Sequence, residues 1–145
     1  SSTVGPINFG TLAIPPPENA ICAGALPITC DSTVIGDSGL SFFTPGPTCG
    51  ASPITSRGLW YTFTGDGSAV TLSTCGTADF DTKISVFSGG CDALECVAGA
   101  DDAPGCAENT TSMTFPTVDG TTYYVLVHAF NDGSGTFTLA MTCAP

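Results

Sequence analysis

Apolar and polar residues alternate with a period of two along most of this chain, the spacing of strands that bury one face. Residues 58–64 set Leu59, Tyr61 and Phe63 against Trp60, Thr62 and Thr64, and residues 69–75 resume after the turn sequence Gly-Asp-Gly-Ser. Residues 82–87 are β-branched and alternating, residues 94–98 form a second short apolar run, and the Ser-Gly-Gly-Cys-Asp-Ala between them is turn chemistry. That combination predicts an antiparallel hairpin folded near Gly90. Residues 111–115, 122–130 and 136–143 predict three more strands, parted by Val-Asp-Gly and Asn-Asp-Gly-Ser-Gly. Nearer the start, residues 26–35 and 40–43 read as a strand pair turning at Gly-Asp-Ser-Gly. No window carries helical periodicity. About eight short strands, with 18 Gly and 11 Pro to turn them, predict an all-β fold, an antiparallel β-sandwich of jelly-roll type.

The first 17 residues break this pattern. They hold no charged side chain, carry Val4, Ile7, Phe9, Leu12 and Ile14, and end in Pro15, Pro16 and Pro17. Left in water, such a segment is a sticky patch, and the proline run that follows is a stiff, extended spacer without backbone donors. The chain therefore divides into an N-terminal extension, residues 1–17, and a sandwich domain, residues 18–145. Residues 3–14 are a candidate donor strand, with Ile7 and Phe9 on one face as its anchors.

Charge narrows the class of partner. Thirteen acidic residues face two basic ones, Arg57 and Lys83, for a net charge of −11. That balance excludes nucleic acid and anionic membrane surfaces, which are bound through Lys and Arg. Charged residues make up only 10% of the chain and hydrophobic ones 42%, so the composition is that of a folding domain rather than a disordered one. No uninterrupted apolar run reaches the roughly 18 residues of a membrane-spanning helix, and no membrane insertion is expected. The chain opens on Ser-Ser-Thr-Val-Gly rather than a basic, apolar leader, so a signal peptide is expected to have been removed.

Eight cysteines beside a single histidine, without zinc-site spacing, point to disulfides and an extracellular or cell-surface location. Hairpin geometry suggests Cys91 with Cys96 across the central turn and Cys75 with Cys106 at its open end. Cys30 with Cys49 and Cys22 with Cys143 complete the expected set. The same hairpin brings Asp81 opposite Asp101 and Asp79 near Asp102. Four carboxylates at one end repel one another unless a cation or hydrogen-bond donors compensate, and hard oxygen ligands suit Ca²⁺. The bland alternative is that Asp81 accepts loop N–H bonds, as Asp commonly does in turns. Asn109-Thr110-Thr111 matches the N-glycosylation sequon.

Catalysis finds little to work with. His128 is the only imidazole and lies within a strand pattern, where a satisfied strand histidine outweighs a general base. There is no Gly-x-Ser-x-Gly elbow, and the cysteines serve better as cystines than as nucleophiles. The chain has no glutamine, which removes a Cys–Gln thioester. We read it as a non-enzyme.

The runs GLWYTFTG, VTLSTCG, FDTKISVFSGGC, the pair Asp101 and Asp102, GTTYYVLVHAF and GTFTLAMTC together resemble the bacterial pre-peptidase C-terminal domain and its cysteine-rich relatives. The resemblance spans about residues 20 to 143. It implies a jelly-roll-like sandwich in a secreted protein, a non-catalytic role and, in some members, a calcium ion. Two function classes follow. In one, the chain is a structural subunit that self-assembles into a filament or surface polymer, its N-terminal segment adding as a strand to a neighbour. In the other, it is a monomeric secreted binding module for a polysaccharide or protein. The first uses the extension, the proline spacer and the disulfides together.

Overall fold

Where the sequence alternates, the backbone is extended, and the computed structural model describes this for residues 16–49, 53–101, 106, 110–131 and 133–144. Among these residues nine strands form: β1 (Leu26–Pro27), β2 (Ser32–Asp37), β3 (Leu59–Thr64), β4 (Ala69–Ser73), β5 (Thr82–Ser88), β6 (Glu95–Ala100), β7 (Ser112–Pro116), β8 (Thr122–Ala129) and β9 (Thr136–Ala144). One sheet has the order β1-β3-β8-β5-β6 and the other β2-β9-β4-β7. Every ladder is antiparallel except the two-residue pairing of β1 with β3. Helical structure among the described residues is limited to 3-10 turns at Glu18–Ala20, Cys22–Gly24 and Ser38–Leu40.

The period of two decides what is buried between the sheets. Tyr61, Phe63, Ile84, Val86, Tyr123, Val125 and Val127 project from the first sheet onto Val70, Leu72, Phe115, Phe137, Leu139 and Met141 of the second. Each of these side chains contributes roughly 1.5–3 kcal/mol by leaving water. Aromatic rings interlock the layers: Phe63 of the first sheet meets Phe115 of the second at 6.3 Å between centroids, and Tyr61 meets Phe137 edge-on at 6.4 Å.

The outer face of the first sheet is also covered, so β5 is buried at six of its seven positions. Trp60, Phe87 and Leu126 form a second apolar cluster there with Cys49 and Ile54, beneath the connection from β2 to β3. Ser41 donates to Gly58 O at 2.6 Å, Ala129 N to Ser56 Oγ at 2.8 Å and Lys83 Nζ to Pro53 O at 3.0 Å, tying that connection down. Where it crosses β6, the carbonyl of Cys49 occupies the place a side chain would take at Gly99, and only glycine fits.

One expected strand pair is not formed. Residues 26–35 and 40–43 do not make a hairpin: Gly-Asp-Ser-Gly enters the 3-10 turn Ser38–Leu40, capped by Asp37 accepting from Gly39 N at 2.8 Å. β2 instead pairs along its whole length with β9, and Phe43 keeps a single bridge to Arg57. The fold remains the expected β-sandwich.

Three of the four expected cystines are corrected in the same way. The bonds are Cys22–Cys91, Cys30–Cys143, Cys49–Cys96 and Cys75–Cys106. Cys75 and Cys106 meet as the folded-over hairpin requires. Cys96, however, sits across the ladder from Phe87, while Cys91 lies beyond the ladder in the turn, and each reaches a different neighbouring segment. Cys30 and Cys143 continue the β2–β9 register that pairs Ser32 with Met141. In the chain-entropy picture a cross-link over 113 residues stabilises by roughly 4–5 kcal/mol.

Candidate functional site

Three places hold the chemistry the sequence singled out. The first is the acidic end of the β5–β6 hairpin. The ladder pairs Ile84 with Ala100, a register that continued one step sets Asp101 across from Lys83 rather than Asp81. Asp79 turns to the other sheet, accepting from Thr136 N at 3.0 Å and Thr136 Oγ1 at 3.1 Å. Asp81 and Asp101 are half-buried, and Asp102 and Asn109 lie outside the described residues. Among the described residues no three His, Cys, Asp or Glu side chains gather as metal ligands.

The second place is polar and buried. Lys83, Ser85 and His128 occupy the outer face of the first sheet beneath the β2–β3 connection, and His128 Nε2 stands 2.8 Å from Ser85 Oγ. Such a contact joins nucleophile to base in hydrolases, and Ser85 was not foreseen as its partner. Here both side chains have no exposed surface. Burial, and to a lesser degree the charge of Lys83, pushes the imidazole down to about 3, so it is neutral at ordinary pH. The arrangement is a polar pair buried beneath the β2–β3 connection.

The third place is open and apolar. β1 and β2 follow each other in sequence but belong to opposite sheets, linked through Cys30 and Asp31, the latter in the left-handed region at φ 59°. A groove of about 610 Å³ lies along this side of the sandwich, with Leu26, Val34, Leu59 and Tyr61 as its apolar lining and Asp37 as its one charged residue. Gly36 makes the lining close-packed: a Cβ there would come within 2.7 Å of Leu59 Cδ1, Phe137 Cζ and Tyr61 Oη. Burial pushes the Tyr61 phenol up to about 12, with the Asn19 hydrogen bond opposing, so it stays neutral in the wall. Asn19 Nδ2 donates to Trp60 O at 3.1 Å and thereby closes the β3 edge beside β1.

β2 itself is left open. It pairs with β9 on one side and has no strand partner on the other among the described residues. Ile35 on that strand is 81% exposed, and Leu40 and Phe42 nearby are also exposed. Pro17 lines the groove too. The candidate donor residues Val4, Ile7, Phe9, Leu12 and Ile14 lie outside the described residues. Sequence reasoning missed the groove because the absence of a strand leaves no pattern; the available signal was Pro27, which breaks the 26–35 run early.

These features define a two-sheet β-sandwich held by four disulfides, with its polar pair sealed inside and one apolar edge open. Neither a protein-family model nor a curated protein matches the sequence. Among solved structures the chain is similar to the pre-peptidase C-terminal domain of a collagenase from Bacillus anthracis. The TM-score is 0.52 at 16% identity, covering 81% of this chain and 94% of that one. The fold is thus the one the sequence motifs indicated. No helix among the described residues is long and apolar enough to cross a membrane.

Proposed function

We propose that this chain is a non-catalytic, extracellular structural subunit that assembles with further copies of itself into a filament or surface polymer, each copy lending its N-terminal segment to a neighbour. The observation that carries the reading is at Pro17, extended at φ −63° and ψ 152° where the charge-free apolar segment joins the sandwich. Runs of proline favour the extended polyproline conformation over a turn. Four disulfides support an oxidising setting outside the cell. Burial of the only imidazole, and the use of every cysteine in a cystine, support the non-catalytic role. The test is negative-stain microscopy and sedimentation of the purified chain beside a variant lacking residues 1–14. Polymers from the whole chain and none from the shortened one are expected. A monomer at high concentration, or unchanged polymers after truncation, would overturn the reading.

Phe42 and Phe43, both exposed on the β2–β3 connection, favour a second reading as a monomeric binding module, since surface aromatic pairs stack on ligands. A monomer retained on a polysaccharide column, and released by replacing both with alanine, would select it.

A further inference from the structure

We infer that the groove between β1 and β2 is the acceptor for residues 7–14 of a second copy of this chain, which pair with the free edge of β2 and extend its sheet to five strands. This rests on the self-assembly reading above and names the surface that reading needs.

Four observations bear on the occupant. β2 offers six residues of edge with no strand partner among the described residues, about 20 Å at the usual rise per strand residue. Ile7 to Ile14 is a proline-free run, longer than that edge, with Ile7 and Phe9 spaced to face one way into the apolar lining at Val34 and Tyr61. The segment carries no charge, and Asp37 is the one charged residue beside the groove, so the contact adds no ion pair and buries no like charges. β2 carries few of the devices that blunt a sheet edge: it holds no proline, no lysine and no bulge in its ladder to β9, and its one charged residue, Asp37, stands at its end.

Reach distinguishes a second copy from the chain's own extension. Pro17 already lines the groove. Pro15, Pro16 and Pro17 supply no backbone N–H and in extended form span about 9 Å. An extension laid back into its own groove would enter it through three residues without a donor, whereas a strand arriving from another copy brings a donor at every residue from Ile7 to Ile14.

The test uses the complete chain with the photo-crosslinker p-benzoylphenylalanine in place of Phe9. Unlabelled and heavy-isotope-labelled chains are mixed before assembly, irradiated, and mapped by mass spectrometry. Expected are crosslinks from position 9 to peptides containing Val34 or Tyr61, half of them joining a light chain to a heavy one. In parallel, Ile35→Lys, an exposed change that sets a charge on the edge, should cut those crosslinks on the order of tenfold with an unchanged circular dichroism spectrum. Crosslinks that never mix isotopes place the chain's own extension in the groove and overturn the inference. Polymers whose crosslinks fall on β6 or β7, or that are indifferent to Ile35→Lys, overturn the groove assignment and leave the subunit reading standing. A chain that forms no polymer overturns both.

Discussion

His128 Nε2 and Ser85 Oγ stand 2.8 Å apart on neighbouring strands, sealed from solvent. The imidazole is pushed down to about 3 in the folded protein, against about 6.5 when exposed. Between those values the unfolded chain holds a proton that the folded one refuses, so stability from this residue is complete above about pH 6.5 and falls as pH drops toward 3. The limiting slope is about 1.4 kcal/mol per pH unit. Urea unfolding near pH 7 and near pH 4.5 should show a loss that His128→Gln reduces by roughly 2.5 kcal/mol. An equal loss in both proteins would mean that carboxylates alone set the acid limb.

The cystines should differ in weight. Cys30–Cys143 spans 113 residues and Cys75–Cys106 spans 31. The chain-entropy estimate makes loss of the former costlier by about 1 kcal/mol. Denaturant midpoints of the two double Cys→Ser variants measure this, and an inverted order would show that folded-state contacts rather than loop closure dominate.

Asp79 fastens the start of β9 through two hydrogen bonds to Thr136. The carboxylate is exposed, so Asp79→Ala should cost only about 1 kcal/mol, with Asp79→Asn costing less because its amide oxygen still accepts from the N–H. Chemical denaturation of the three proteins checks the order, and equal stabilities would show that the bonds contribute nothing net.

Assembly should respond to salt in an unusual direction. Each copy carries −11, so bringing copies together is opposed by repulsion that a charge-free strand does not offset. The screening length shortens from about 30 Å at 0.01 M to about 8 Å at 0.15 M ionic strength. Sedimentation should therefore find more polymer at the higher value. Polymer that dissolves as salt is added would point to ion pairs at the contact instead.

The strands from β3 onward were legible because each has its own alternation and its own turn residues, as at Gly90 or Gly120. β1 and β2 were not. Their partners, β3 and β9, are set by sandwich topology, and no local residue announces that Ser32 lies across from Met141. Cystine pairing inherited that blindness, since Cys30 with Cys143 follows from the register of two strands at opposite ends of the chain. The burial of Lys83, Ser85 and His128 was hidden for a related reason: it depends on a connection folding over the outer face of a sheet. Alternation reveals which residues share a face, but not what covers it.

The Cys30–Cys143 bond has a mechanical meaning in a polymer joined by strand addition. Tension would enter each copy at Pro17 and leave through β2, whose sequence begins soon after, so the load path follows the short stretch from Pro17 to Ser32 and bypasses most of the sandwich. Along that stretch Cys22 is anchored to Cys91 and Cys30 to Cys143. Pulling would strain covalent cross-links before it peeled the strands apart, and such a fibre would yield first at its non-covalent joints between copies.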